Sequence, residues 1–189
     1  MDEQSQEGQS QKHSARSGLF TALSWVRDLA FSVLLAVILI VFIYQPVKVE
    51  GTSMMPALVD QERIFINKFV YRFGIGKVER GDTVVFWFPG DPSKSYIKRV
   101  IGLPGDTVAV DRGTVLVNGK ALQEDYVPVE YRDRLSSARQ VIPEDHFFVL
   151  GDHRSSSNDS RSWGPLHRRH IYGKAVFVYW PLERLGPVR

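Results

Sequence analysis

The stretch DTVVFWF (residues 82–88), followed by SYIKRVIGL (residues 95–103), has the composition of two neighbouring β-strands. Both are rich in β-branched and aromatic residues and are bounded by glycine, proline and aspartate. Five further runs share this pattern: RIFINKFVY at 63–71, DTVAVD at 106–111, GTVLVNG at 113–119, HFFVLGD at 146–152 and KAVFVYW at 174–180. No helical period of useful length recurs among them. The sequence therefore predicts a mostly β domain, built as an antiparallel β-sheet or partly open barrel.

Short turn signals between these runs predict hairpins. Asp111, Arg112 and Gly113 separate two of the runs, and Asn118 with Gly119 closes the next one. Residues 112–145 are expected to form a small excursion from the main sheet. They include the less apolar segment from Leu122 to Gln140 and the charged stretch from Glu130 to Arg134, which is expected to be a solvated loop.

One long apolar run, LAFSVLLAVILIVFIY from Leu29 to Tyr44, precedes the strands and carries no charge. Sixteen helical residues rise only about 24 Å against a hydrocarbon core of about 30 Å, so the expected span of about residues 25–45 includes flanking residues. A cleaved signal peptide would show small residues at a cleavage site, and a buried core helix would show a polar face. The run shows neither, which predicts one retained transmembrane helix.

This span divides the chain into three parts. Residues 1–18 form a polar leader that is expected to be disordered, residues 19–45 the membrane-anchoring segment, and residues 46–189 the β-rich domain. Three basic residues lie on the N-terminal side of the span or at its start: Lys12, Arg16 and Arg27. They favour a cytoplasmic N-terminus, which would place the β-rich domain outside the cytoplasm.

Composition argues against several kinds of site. The chain has no cysteine, which excludes disulfides, thiolate zinc sites and cysteine nucleophiles. Its net charge of +3 comes from scattered basic residues without a stripe interleaved with aromatics, so nucleic-acid binding is not expected. His167 and His170 have no third ligand nearby, and no metal is expected. Asp152 and His153 are too close in sequence to form a catalytic triad with a neighbouring serine.

A serine and a lysine remain as candidates for nucleophilic catalysis. Ser53 lies in EGTSMMPAL (Glu50–Leu58), where Pro56 stiffens a turn that presents the hydroxyl. A lysine activates serine only when its amine is neutral, which requires burial to lower its pKa from about 10.4. Lys98 has apolar neighbours on both sides, and in a strand it points away from Arg99. Taken singly, Ser53 fits a surface turn serine better than a nucleophile, and Lys98 fits an exposed lysine better than a general base.

Four segments together resemble the motifs of bacterial type I signal peptidases, which are membrane-anchored serine proteases that remove signal peptides from exported proteins. These segments are GTSMMPAL at 51–58, RGDTVVFWFP at 80–89, YIKRVIGLPGD at 96–106 and GDHRSSSNDSR at 151–161. The resemblance implies that Ser53 is the nucleophile and Lys98 the general base, with Ser157 holding the lysine amine by a hydrogen bond. It also implies five supporting residues, of which the last two form an ion pair: Arg99, Asp152, Arg154, Asp159 and Arg161.

The resemblance further implies hydrolysis through an acyl-enzyme, without a cofactor, by a monomer in the bacterial cytoplasmic (inner) membrane. The implied substrates are signal peptides of exported preproteins, bound as extended strands with the Ala-x-Ala pattern before the cut. Three positions depart from the family pattern: Gly51, where some members have a serine, Ala57, where threonine is usual, and His153, where asparagine is common. With Gly51, only main-chain donors are expected to stabilise the oxyanion, chiefly the Ser53 amide.

Two other interpretations stay open. A soluble, repressor-type self-cleaving protease also uses a serine and a lysine on a β scaffold, although the apolar span argues against it. A membrane-tethered β module that binds peptides without catalysis would not need Ser53. The sequence also leaves open whether four aromatic residues lie in the core or against a bilayer surface: Trp87, Phe88, Trp163 and Trp180.

Overall fold

The computed structural model describes residues 24–38, 44–68 and 76–188 of the chain, which divides into two units near residue 42. Residues 24–38 form helix α1, whose side chains are exposed from residue 25 onward. Within the described ranges, no helix combines the length and apolar character needed to cross a bilayer. The predicted span includes residues 39–43, and these, like the polar leader, lie outside the described residues. Tyr44 and Gln45, placed in that span by the sequence, belong to a strand.

The described part of the second unit contains twelve strands. In chain order they are β1 (Tyr44–Lys48), β2 (Arg63–Asn67), β3 (Thr83–Phe88), β4 (Asp91–Gly102), β5 (Thr107–Asp111), β6 (Thr114–Val117), β7 (Lys120–Ala121), β8 (Ser137–Val141), β9 (His146–Leu150), β10 (Leu166–His167), β11 (Ile171–Trp180) and β12 (Gly186–Pro187). Helix α2 (Ser160–Trp163) follows β9. Four 3₁₀ turns complete the regular structure: Val129–Tyr131, Arg154–Ser156, Arg168–His170 and Leu182–Arg184.

The strands form two sheets in which all pairs are antiparallel. The larger sheet has the order β1-β2-β11-β3-β4-β9-β10, with β12 also paired to β11, and the smaller sheet has the order β7-β6-β5-β8. The predicted mostly β, antiparallel fold is confirmed. Both sheets keep two free ends among the described strands, so these strands do not close into a barrel.

The predicted hairpin turns are present on either side of β6. Arg112 and Gly113 have φ of 45° and 83°, and Asn118 and Gly119 have φ of 53° and 78°. Two successive positive φ values match the twist of the flanking strands in a two-residue hairpin. Asparagine and glycine at such positions were therefore a reliable signal, whereas Arg112 is not a residue that favours positive φ.

Residues 112–145, predicted as an excursion, supply three of the four strands of the smaller sheet. The prediction of a solvated loop from Glu130 to Arg134 is wrong for Asp133. The carboxylate of Asp133 is nearly buried and accepts a hydrogen bond from Arg161 Nη1 at 2.6 Å. A partner 28 residues away in sequence leaves no trace in local composition, which explains the error.

Apolar packing holds the two segments that matter most for the candidate site. Met54 and Leu58, from the turn after β1, are buried in a cluster with side chains of β2 and β11. A second cluster packs Val100 of β4 against β3 and β9, and a third joins the end of β4 to the smaller sheet through Ile101. Each fully buried side chain of this size contributes roughly 1.5–3 kcal/mol, so both segments are firmly placed.

The aromatic residues that the sequence left open have two different environments. Trp163 packs against Phe86 and Phe88, with ring centroids 6.0 and 6.1 Å away. Trp87 and Trp180 are exposed. The exposed pair therefore lies outside the core, as a bilayer contact would require.

Candidate active site

Ser53 lies in a turn that leaves the end of β1 and returns to β2. A backbone hydrogen bond joins the two ends of this turn: the Val49 amide donates to the Glu62 carbonyl at 2.7 Å. Gly51 has φ of 94°, and its amide donates to Asp60 Oδ1 at 2.8 Å. Because this φ lies in the region that disfavours side chains, a serine at position 51 would be strained. The local backbone thus accounts for the first departure from the family pattern.

Lys98 reaches Ser53 from the middle of β4. The strand pairs Lys98 with Val84 of β3, and the lysine is only 3% exposed. Its Nζ lies 2.7 Å from Ser53 Oγ and donates to the Ile97 carbonyl at 3.1 Å. The structure therefore brings the two candidate residues, 45 positions apart in sequence, into hydrogen-bond contact.

Burial lowers the pKa of Lys98 to about 8, because removal from water penalises the ammonium form. The negative charges of Asp159 and Asp152 act in the opposite direction, and the positive charge of Arg161 again lowers this pKa. A pKa near 8 makes a substantial fraction of the amine neutral in mildly alkaline solution. The amine is then able to accept the proton of a neighbouring hydroxyl.

Arg99, the residue after Lys98 in β4, forms a buried ion pair with Asp152. Arg99 donates from Nε and Nη2 to the two Asp152 oxygens at 2.8 and 2.6 Å. Its Nη1 donates to the Gly81 carbonyl at 2.9 Å, and its guanidinium carbon lies 4.4 Å from the centre of the Tyr126 ring. The adjacent cations Lys98 and Arg99 therefore have different partners, as alternation along a strand predicts.

The predicted pair of Asp159 and Arg161 is present at the start of α2. Asp159 is buried and accepts hydrogen bonds from Arg161 Nε and Nη2, both at 2.8 Å. It also accepts from the Gly151 amide at 3.1 Å, and Arg161 Nη2 donates to the Arg154 carbonyl at 2.8 Å. The pair thus fixes both ends of the loop from Gly151 to Arg161.

Arg154 connects this loop to the segment between β7 and β8 of the smaller sheet. Its Nε donates to the Gly151 carbonyl at 2.9 Å, and its two Nη atoms donate to the Glu124 carboxylate at 2.9 and 2.5 Å. Tyr126 also donates to this carboxylate at 2.8 Å. Sequence reasoning missed Glu124 and Tyr126, because both lie in a polar segment without a motif.

The predicted hydrogen bond between Ser157 and the Lys98 amine is absent. Ser157 Oγ is buried and makes no hydrogen bond to the described residues. It points toward Gly151, where an added Cβ would lie 2.3 Å from Ser157 Oγ and 2.5 Å from the Ser53 carbonyl oxygen. Ser157 therefore packs beside the backbone of Ser53, and the amine instead contacts Ser53 Oγ and the Ile97 carbonyl.

His153, another departure from the family pattern, contacts the turn that holds Ser53. Its amide donates to the Ser53 carbonyl at 3.1 Å, and its Nδ1 lies 3.3 Å from the Thr52 carbonyl oxygen. The ring also packs edge-on against Tyr131, with centroids 4.6 Å apart. The loop after β9 therefore supports the serine from its backbone side.

A groove of about 690 Å³ opens beside Ser53 and Lys98. It is lined by the end of β1 and its continuation, by the first half of β4 and by a few loop residues: Val47, Lys48, Val49, Glu50, Gly51, Met54, Val85, Ser93, Lys94, Ser95, Tyr96, Ile97 and Asn158. Among the described strands, β1 pairs only with β2, and β4 pairs with β9 only from Arg99 onward. Both sides of the groove therefore offer strand edges with unpaired backbone groups.

The Ser53 amide is also available. It makes no hydrogen bond to the residues that the structure describes. Backbone N–H groups in this situation stabilise the negative oxygen that forms when a nucleophile attacks a carbonyl. A serine hydroxyl, a partly neutral amine and a free backbone donor beside one groove are together suited to acyl transfer.

Comparisons with known proteins identify the family of this chain. The family model described as signal peptidase, peptidase S26, matches residues 22–180. A signal peptidase I of Leptolyngbya laminosa is 38% identical over 171 residues, which cover 85% of this chain and 81% of that relative. A signal peptidase I P of Bacillus subtilis subsp. natto is 35% identical over 173 residues, which cover 86% of this chain and 91% of that relative.

Among solved structures, a signal peptidase I of Enterococcus faecalis V583 is 34% identical, with a TM-score of 0.45, and the match covers 52% of this chain and 96% of that one. The family match takes in every strand of the larger sheet except β12, together with Ser53 and Lys98. The chain therefore belongs to the signal peptidase family, peptidase S26, a family of serine endopeptidases.

Proposed function

We propose that this chain is a membrane-anchored endopeptidase that removes N-terminal signal peptides from exported preproteins after an Ala-x-Ala-like site. Ser53 is the nucleophile and neutral Lys98 is the general base. The observation that carries the proposal is the 2.7 Å contact between Ser53 Oγ and the Nζ of a lysine that is almost fully buried. Burial lowers the pKa of a lysine amine, so that a larger fraction of it is neutral and able to accept a proton near physiological pH.

In the acylation step, the Lys98 amine takes the Ser53 proton while Oγ attacks the scissile carbonyl. The resulting oxyanion accepts a hydrogen bond from the Ser53 amide. The Lys98 ammonium then returns the proton to the leaving amine, which is the new N-terminus of the mature protein. The signal peptide stays bound to Ser53 as an ester until a water molecule, deprotonated by Lys98, releases it as a carboxylic acid.

The supporting residues act on this step through charge. Lys98 must alternate between neutral and protonated forms, so a site that only penalised the ammonium would make proton uptake costly. Asp159 and Asp152 raise the pKa of Lys98 against the larger effect of burial. Arg161 and Arg99 donate hydrogen bonds to these two carboxylates and hold them in place.

The rate of cleavage is expected to fall as the pH falls below about 8, since protonated Lys98 cannot act as a base. One titrating group predicts a decrease in kcat/KM of about tenfold per pH unit on this acidic side. The measurement is the initial rate of preprotein cleavage between pH 5 and pH 10 in a constant-ionic-strength buffer. A rate that stays flat down to pH 5 would contradict a lysine base.

The substrate is proposed to bind as an extended strand in the groove. The unpaired edges of β1 and of the first half of β4 support this, because main-chain hydrogen bonds to strand edges hold peptides without regard to their side chains. Met54, Val85 and Ile97 contribute apolar surface to the groove. Small substrate side chains near the cleavage site avoid steric clashes and so allow the scissile carbonyl to approach Ser53 Oγ.

Anchoring is proposed through the apolar N-terminal segment, with the N-terminus in the cytoplasm and the β-rich domain on the outer side of the bacterial cytoplasmic membrane. The charge-free run from Leu29 and the exposed apolar side chains of α1 support this proposal. Enzyme and signal peptide would then share one membrane surface, which raises their effective concentration. The chain is proposed to act there as a monomer.

The test is cleavage of two preproteins by the detergent-solubilised full chain, with product masses determined by mass spectrometry. One preprotein carries an Ala-x-Ala site, and the other differs only in a tryptophan before the cut. We expect a single cut in the first and none in the second. If neither is cut under varied lipid and pH, the chain is a peptide-binding module instead, and cleavage restricted to its own backbone would support a self-cleaving protease.

A further inference from the structure

The turn that carries Ser53 ends at a buried acidic residue, Glu62, which takes no part in the mechanism above. Glu62 is 2% exposed. Its Oε2 accepts a hydrogen bond from the Val59 amide at 2.9 Å, and its Oε1 accepts one from Arg184 Nε. Neither Glu62 nor Arg184 lines the groove beside Ser53.

Arg184 reaches this turn from the far end of the chain, where it closes the 3₁₀ turn after β11. Its Nη2 donates to the carbonyl oxygens of Pro56 and Ala57 at 2.9 and 3.2 Å. One guanidinium therefore binds a buried carboxylate at the end of the turn and two carbonyls in its middle. A lysine has one nitrogen and does not reproduce this fork.

These contacts add to those made by the loop after β9. There, the His153 amide donates to the Ser53 carbonyl at 3.1 Å. Near the serine, the turn has two internal backbone hydrogen bonds, from Met55 to Thr52 and from Leu58 to Met54, and three more lie at its two ends. Arg184 adds a support from outside the turn, at the carbonyls in its middle.

We propose that Arg184 and Glu62 are positioning residues for Ser53. They set the distance and direction of Ser53 Oγ relative to Lys98 and the scissile carbonyl without touching the substrate. This inference rests on the proposed role of Ser53 as nucleophile. At position 57, the backbone carbonyl of Ala57 contacts Arg184, and the side chain takes no part in this contact.

The consequence is a specific kinetic signature. Loss of Arg184 leaves the groove and its strand edges intact, so KM should change less than about threefold. Displacement of a reacting atom by about 1 Å costs on the order of 100-fold in rate, so kcat should fall by about 10- to 100-fold. A residue with a purely structural role would instead reduce the fraction of folded enzyme and leave kcat per active site unchanged.

The test compares Arg184→Met and Glu62→Gln with a matched control, Arg80→Met, in the full detergent-solubilised chain. Arg80 likewise joins a carboxylate, Asp106, to a backbone carbonyl, and its side chain is 30% exposed against 41% for Arg184. Active sites are counted by the burst of p-nitrophenol released from p-nitrophenyl acetate, with Ser53→Ala as the blank. The same burst gives the rate of Ser53 acylation without a preprotein.

We expect Arg184→Met and Glu62→Gln to acylate about 10- to 100-fold more slowly per titrated site, with a similar drop in kcat for the preprotein. Arg80→Met should keep the natural rate per site even if its melting temperature falls. Rates per site within twofold of the natural chain for both test variants would overturn the proposal. If the natural chain shows no Ser53-dependent burst, the proposed nucleophile fails; a burst without preprotein cleavage refutes the substrate and leaves the positioning proposal testable.

Discussion

Replacement of Lys98 by arginine is expected to lower kcat/KM for preprotein cleavage by about 10²- to 10⁴-fold, the usual contribution of a general base. Arginine keeps the positive charge on a slightly longer side chain, but it does not lose its proton in a protein. The neutral amine proposed to accept the Ser53 proton would therefore be missing at every accessible pH. Initial rates of preprotein cleavage, followed by mass spectrometry, measure the effect.

A suitable control is Lys174→Arg. Lys174 lies in β11 and pairs with Asp82 at 2.5 Å, a contact that requires charge and not a neutral amine. This control should therefore keep near-natural activity. Ser53→Ala should match Lys98→Arg in its loss, because both act on the same step and their effects are not additive. If Lys98→Arg retains a tenth or more of the natural rate, another group removes the Ser53 proton.

Gly151→Ala is expected to cause the second large loss, about 100-fold in kcat. A Cβ at this position would lie 2.5 Å from the Ser53 carbonyl oxygen and 2.3 Å from Ser157 Oγ. Ser157 has a flexible side chain, but the Ser53 carbonyl is backbone and moves only with its residue. A shift of about 1 Å at the nucleophile costs on the order of 100-fold in rate, and overpacking lowers the free energy of unfolding by about 1–3 kcal/mol.

Gly186→Ala is the matched control, because no heavy atom lies within 4 Å of a Cβ added there. Steady-state kinetics and thermal unfolding of both variants separate the local effect from a general one. The expected pattern is a large decrease in kcat for Gly151→Ala and natural values for Gly186→Ala. Natural kcat in folded Gly151→Ala would show that the close approach of this loop does not set the position of Ser53.

Local chemistry in the sequence accounts for most of the fold. The β-branched and aromatic runs that became β3 and β4 were recognisable because side-chain volume and alternation act between neighbours in the chain. The turns at Arg112–Gly113 and Asn118–Gly119 were recognisable for the same reason, since their positive φ values depend on the turn residues themselves. The membrane span stays a prediction, because part of it lies outside the described residues.

The candidate site could be predicted from the sequence only in part. Ser53 and Lys98 were named from their motifs, yet nothing within either motif determines that their side chains lie 2.7 Å apart. The predicted bond from Ser157 to the amine is absent because the rotation of its side chain toward Gly151 is decided by packing. Motifs identify which residue types meet, and packing decides which of their atoms touch.

The partners of the supporting arginines were decided by the tertiary structure alone. Glu124 binds Arg154 across 30 positions, Asp133 binds Arg161 across 28, and Glu62 binds Arg184 across 122. An ion pair depends on distance in space, and the order of strands in the sheets sets that distance. The residues therefore determined the strands, the turns and the candidate Ser–Lys pair, whereas only the folded sheets brought together the charged side chains of these ion pairs.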